Sequence, residues 1–118
     1  MYIYSMYSKE LLKGTLSTII LKLLAEHGQM YGYELTQKVK ELSDNKILIK
    51  EGSLYPALHK LQAEGLVVTR EMHIGKRVRI YYQLTEQGQD KALVLVNELL
   101  SFLDTIHQLM IAKPALSI

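Results

Sequence analysis

The chain has no cysteine and no tryptophan, and only two prolines and one phenylalanine in 118 residues. Without cysteine there can be no disulfide, no thiolate metal site and no cysteine nucleophile. The four histidines, His27, His59, His73 and His107, are dispersed and lack the close spacing of a metal-binding set. No nucleophile–base motif and no glycine-rich phosphate loop is present, and Gly75-Lys76-Arg77 reads as a turn. An enzyme, a bound metal and a cofactor are therefore not expected. Long hydrophobic runs are also missing: none approaches the roughly 18–20 residues that cross a bilayer, so no membrane partner is expected. The opening Met1-Tyr2-Ile3-Tyr4-Ser5-Met6-Tyr7 has no basic start followed by an apolar run, so a secretion signal is not expected either. A cysteine-free chain suits a reducing compartment, and the expected location is cytoplasmic.

What is present is one ordinary domain's worth of residues, 48% apolar and 22% charged, as in a globular protein. The net charge of +2 is unevenly placed. Residues 45–82 hold seven basic side chains (Lys46, Lys50, Lys60, Arg70, Lys76, Arg77, Arg79) and three acidic ones, whereas residues 83–118 hold two basic and four acidic. A basic middle third points to a polyanionic partner.

In that third lies a short helix, residues 51–64. Ser53 is expected as its N-cap, Pro56 falls in its first turn, and Gly65 closes it. Leu54, Leu58 and Leu61 recur at helical spacing and form a buried face. Tyr55, His59, Lys60 and Gln62 lie off that face, and they read either as a solvated surface or as one that reads a nucleic-acid groove. Before it, residues 8–27 are expected to form one helix. Its broad apolar surface (Leu11, Leu12, Leu16, Ile19, Ile20, Leu23, Leu24) fits either a central core helix or contact with a second subunit. A second helix opens at Tyr31-Gly32-Tyr33 and runs to about Leu42, burying Leu35, Val39 and Leu42. Ser43-Asp44-Asn45 is a turn by composition, and Ile47-Leu48-Ile49 suits a short strand. After Gly65, two β-rich runs flank a glycine-bearing turn and read as a hairpin. In the second run Val78, Ile80, Tyr82 and Leu84 alternate with Arg77, Arg79, Tyr81 and Gln83. Its basic tip suits a phosphate backbone or a minor groove, or else protects a sheet edge. A last helix starts at Thr85, and Ala92, Val96, Leu99, Leu103, Ile106 and Met110 form a heptad seam along it. So small a domain cannot cover that surface, which predicts a homodimer through this helix, aided by Leu12, Leu16 and Ile19.

The fold class expected is mostly α with a small β hairpin, an α+β arrangement of the winged helix-turn-helix type with a C-terminal dimerisation helix. Residues 1–84 would form the winged-helix domain, 85–112 the dimerisation helix and 113–118 a loose tail. The sequence resembles the PadR family of transcriptional regulators. The resemblance rests on Gly14-Thr15-Leu16, Met30-Tyr31-Gly32-Tyr33-Glu34-Leu35, Glu51-Gly52-Ser53-Leu54-Tyr55-Pro56-Ala57-Leu58, Glu64-Gly65-Leu66 and Tyr81-Tyr82-Gln83-Leu84-Thr85-Glu86-Gln87-Gly88, and covers about residues 8–90. Arg77-Val78-Arg79-Ile80 departs from the commoner wing pattern, in which a basic pair directly precedes the tyrosines.

The resemblance implies a dimeric repressor of double-stranded DNA at an inverted repeat, with Ser53, Tyr55, His59 and Lys60 facing bases or backbone. Lys50, Lys76, Arg77 and Arg79 would neutralise phosphates. For Tyr31 and Tyr33, a phosphate contact and core packing are both open. The resemblance implies that relatives with so short a tail bind flat apolar compounds, or no known compound, at the dimer interface, some through a tryptophan that is absent here. A small aromatic effector among Leu12, Leu16, Leu99 and Phe102 is one arrangement, and a filled, dry interface is the other. The rival class is a winged-helix module that binds protein without reading DNA.

Overall fold

The structure, a computed structural model, describes residues 6–114. Its elements are α1 (Lys9–Lys13), α2 (Leu16–His27), β1 (Gln29–Tyr31), α3 (Gly32–Leu42), α4 (Glu51–Ala63), β2 (Val67–Ile74), β3 (Arg77–Leu84) and α5 (Glu86–Ile111). The three strands make one antiparallel sheet in the order β1-β3-β2. The core joins α2 (Ile20, Leu21, Leu24), α3 (Leu35, Val39), α4 (Leu54, Leu58, Leu61) and the base of the sheet (Met30, Val67, Tyr82, Leu84).

The single helix expected over residues 8–27 is two helices. The chain breaks at Gly14-Thr15, where the Thr15 amide and hydroxyl both donate to Leu12 O, at 3.0 and 2.9 Å. A hydroxyl that satisfies a backbone carbonyl locally competes with continuation of the helix. The strand expected at residues 47–49 is also absent. Those residues are extended coil, with Ile47 and Ile49 packed on the core. The short strand falls instead at Gln29–Tyr31 and takes the free edge of β3, whose other edge β2 occupies. Tyr81, Tyr82 and Gln83 of β3 are thereby paired on both sides. Ser43 holds that loop, since its hydroxyl accepts from Ile47 N at 3.0 Å, and Asp44 and Asn45 both adopt positive φ. Leu42, expected in the buried stripe of α3, is 65% exposed because it sits at the last residue of the helix, past the core.

In α4 the expected buried face holds: Leu54, Leu58 and Leu61 are at most 2% exposed. The start differs. Lys50 is the N-cap residue, in extended conformation, and Ser53 lies within the first turn with Pro56 inside the helix. Ser53 N and Leu54 N both donate to Lys50 O, at 3.0 and 2.9 Å, which extends the helix one turn upstream. The C-terminus closes as expected. Gly65 has φ of 75°, its N–H donates to Gln62 O, and Leu66 N donates to Leu61 O at 2.9 Å. This pair of bonds satisfies the last carbonyls of the helix and needs a left-handed residue, which glycine supplies without strain.

The same corner anchors α5. Thr85 Oγ1 donates to Gly65 O at 2.7 Å and accepts from Gly88 N at 3.0 Å, so one hydroxyl caps α5 and ties it to the end of α4. A Cβ at Gly88 would overlap the carbonyl oxygen of Leu66, so only glycine lets α5 approach this closely. Ala92, placed by the sequence in the dimer seam, is buried at 3% exposure within the subunit's own core, because the first turns of α5 pack on α2. Of the tail expected to be loose, residues 115–118 lie outside the described residues.

Candidate nucleic-acid interface

The hairpin register places Arg70, Met72 and Ile74 opposite Tyr81, Arg79 and Arg77. Strand alternation therefore sets Arg70, Arg77, Arg79, Tyr81 and, through β1, Tyr31 on one sheet face. The opposite face carries Val67, Tyr82 and Leu84 into the core, while Val78 and Ile80 on that face extend past it and stay exposed. Lys76, in the two-residue turn, and Arg77, the first residue of β3, are exposed.

Arg79 is not a free cation. Its guanidinium lies over the Tyr31 ring, 4.4 Å from the centroid. Its proton affinity is raised, chiefly by a hydrogen bond to Tyr81, which outweighs the opposing effect of desolvation, with the charges of Tyr31, Tyr81 and Glu34 adding to the rise. Tyr31 meets Tyr81 edge to face at 5.3 Å and lies nearly parallel to Tyr33 at 6.5 Å. Tyr31 is half-buried and its N–H donates to the Glu34 carboxylate at 3.1 Å, which secures the start of α3. Tyr33 is 63% exposed. The structure thus brings Tyr31, Tyr33 and Arg79 into one cluster. Tyr81, which sequence reasoning did not single out, completes it. Only the cross-strand pairing of Tyr31 with Tyr81 reveals this role.

Lys50, at the N-cap of α4, and Ser53, His59 and Lys60 within it are exposed. Ser53 and Lys60, seven residues apart, lie one above the other. Tyr55 differs: it is half-buried, and its hydroxyl end occupies the space a side chain at Gly32 would need. Tyr55 and β3 border a common groove of about 260 Å³ lined by Tyr31, Gly32, Tyr55, Val78, Arg79, Ile80 and Tyr82, so α4 and the wing are neighbours in space. No cluster of metal-binding side chains occurs among the described residues.

Along α5, Leu12's and Leu16's expected partners Leu99 and Phe102 are half-buried and exposed respectively, and Leu12, Leu16 and Ile19 are half-buried. Val96 and Ile106 are half-buried, while Leu103 and Met110 are exposed, as are Leu93, Val94, Leu100, Leu109 and Ile111 outside the seam. Neither the groove beneath the wing nor one at the α4–α5 corner is lined by Leu12, Leu16, Leu99 or Phe102.

Helices α3 and α4 followed by a two-stranded wing define a winged helix-turn-helix protein. The model of the transcriptional regulator PadR-like family matches residues 20–93, and the chain belongs to that family. It is similar to a transcriptional regulator of Clostridium thermocellum, with TM-score 0.78 and 29% identity over 91% of this chain and 99% of that one. It is similar also to a PadR family transcriptional regulator of Eggerthella lenta, with TM-score 0.72 and 30% identity over 88% of each chain. The transcriptional regulator Rv3488 of Mycobacterium tuberculosis is 37% identical over 65 residues, which span 55% of this chain and 58% of the relative. The protein is thus a transcriptional regulator of the PadR family, with a mostly helical fold and a small three-stranded sheet.

Proposed function

We propose that the protein is a dimeric repressor that binds an inverted repeat in double-stranded DNA, with α4 in the major groove and the wing on the flanking backbone. The observation that carries this reading is the pairing of two unsatisfied surfaces in one subunit. One is polar and cationic: Lys50, Ser53, His59 and Lys60 on α4, Lys76 and Arg77 on the wing, all exposed. The other is apolar: α5 runs for 26 residues with Leu100, Phe102, Leu103, Leu109, Met110 and Ile111 each at least 50% exposed. At about 25 cal/mol per Å², leaving these side chains wet forfeits several kcal/mol. The Cα radius of gyration, 17.1 Å, exceeds the roughly 13–14 Å of a compact domain this size. A second copy covers α5 and doubles the DNA-facing elements, which suits half-sites about 34 Å apart.

Among the described residues, α5 is also the one helix long and apolar enough to cross a membrane, with mean hydropathy 1.2 over its most apolar 18 residues. Glu98 and Asp104 lie within it, and an acidic group near the middle of a spanning helix costs about 3 kcal/mol. The same residues sit comfortably at the edge of a helix pair in water, which favours a partner subunit over a bilayer. An apolar effector among Leu12, Leu16, Leu99 and Phe102 requires the second subunit to close its cavity. Gel shift on the DNA upstream of the protein's own gene tests the reading. A discrete complex that weakens steeply with salt supports it; no complex at low salt refutes it.

A further inference from the structure

We propose that Tyr81 is a positioning residue of the DNA interface: with Tyr31 it holds the Arg79 guanidinium in one orientation, so that two of its N–H groups clamp a single phosphate of the duplex backbone. This role rests on the DNA-binding reading above and deepens it. The Arg79 guanidinium lies over the Tyr31 ring, 4.4 Å from the centroid. Tyr81 hydrogen-bonds the same guanidinium. Tyr81 also meets Tyr31 edge to face at 5.3 Å, so the two rings that hold Arg79 brace each other. The sheet joins them: Tyr31 and Tyr81 are register partners across β1 and β3, and Arg79 stands two residues before Tyr81 on the same face. Tyr31 is fixed in turn, since its N–H donates to the Glu34 carboxylate at 3.1 Å. On its other side Tyr33 lies nearly parallel at 6.5 Å.

Both groups that hold Arg79 are neutral. Among the described residues Arg79 makes no ion pair, whereas Lys22 and Lys38 are paired with Glu26 and Glu41 within their own helices. The Glu34 carboxylate, the nearest acidic group to be felt, is turned to the Tyr31 amide instead. A half-buried cation ordered only by neutral groups keeps its charge for an anion outside the chain. Its donors are also spare, because a guanidinium carries more N–H groups than one bond to Tyr81 uses. Stacking engages the flat face of the group, and the donors lie in its plane. A planar fork whose rotation is blocked meets two phosphate oxygens with less loss of freedom than a swinging side chain. Lys76 and Arg77 are exposed and make no ring contact among the described residues, so they supply charge without a fixed direction.

The test measures the full chain by fluorescence anisotropy across a salt series. The probes are a labelled duplex from upstream of its own gene and a scrambled duplex of the same length. Arg79→Ala should weaken both about tenfold and lower the slope of log affinity against log salt by about 0.9. Tyr81→Phe and Arg79→Lys keep the charge, so they should weaken both about fivefold and leave the slope unchanged. In the Arg79→Ala background, Tyr81→Phe should do nothing further, because it acts through Arg79. A tyrosine that only supports the fold would weaken binding equally in both backgrounds. In the DNA-free chain with ¹⁵N-labelled arginine, the Arg79 Nε–H signal should be well ordered, and in Tyr81→Phe as mobile as that of Arg77. The proposal is overturned if the two losses add, if they are confined to the upstream duplex, which would assign Arg79 to a base, or if the parent's Arg79 signal is already as mobile as that of Arg77. A parent that binds neither duplex at low salt sinks the DNA reading and the phosphate clamp together, whereas additive losses in a parent that binds sink the clamp alone.

Discussion

Gly88, Thr85 and Tyr82 decide how the pieces meet. Gly88 lets α5 lie against the Leu66 carbonyl, and a methyl group there collides with backbone, which cannot rotate away. Gly88→Ala should cost about 3 kcal/mol, read as a lower midpoint in urea denaturation. A midpoint unchanged from the parent would mean that α5 can pivot at its start. Thr85 is the second such group, capping α5 and holding Gly65 O with one hydroxyl. Tyr82 is the third. Its pKa lies above the ordinary 10.0 because burial, chiefly, disfavours the phenolate. The folded state therefore holds that proton more tightly than the unfolded chain. The associated stability is fully present below about pH 10 and is lost as pH rises through the folded value. Tyr82→Phe should lessen the alkaline loss of stability; an identical alkaline limb in both proteins would contradict the burial assigned to this hydroxyl.

At the scale of elements, the sequence was legible wherever local signals and burial agree. Leu54, Leu58 and Leu61 announce α4 by spacing alone. Gly75-Lys76 between two β-rich runs announces the wing, and Thr85 announces the start of α5. What stayed hidden depends on distant pairing. Gln29–Tyr31 is a strand only because β3 offers it an edge, and with that edge taken Ile47-Leu48-Ile49 stays extended coil. The break at Gly14-Thr15 is masked because apolar residues continue in helical period across it. The cluster of Tyr31, Tyr33, Tyr81 and Arg79 joins residues about fifty positions apart, so Arg79 could be read as cationic but not as already committed to a ring. That commitment distinguishes it from Arg77, which is exposed and makes no ion pair or ring contact among the described residues. Arg77→Ala should lower the slope of log affinity against log salt by about 0.9, the loss of one phosphate contact. Lys60→Ala on α4 should weaken operator binding as well. Unchanged affinity and slope in both would remove α4 and the wing from the interface.

For the molecule as a whole, the decisive fact is that α5 exposes more large apolar side chains than its own chain can cover. Its first turns belong to the subunit core through Gly88 and Ala92, and its remainder projects with Phe102, Leu103, Leu109 and Met110 uncovered. Leu103→Glu adds a charge at a half-exposed position and so should spare the fold of one subunit. It should still separate the pair and weaken DNA binding far more than either subunit's loss of a single contact. Normal affinity in a monomeric Leu103→Glu protein would show that pairing is irrelevant to recognition. The most direct measurement is sedimentation equilibrium of the protein mixed with its own upstream DNA at moderate salt. The account predicts a complex whose mass exceeds that of the duplex by two chains of 13.5 kDa. A complex holding one chain, or free duplex beside a 13.5 kDa species, would contradict it.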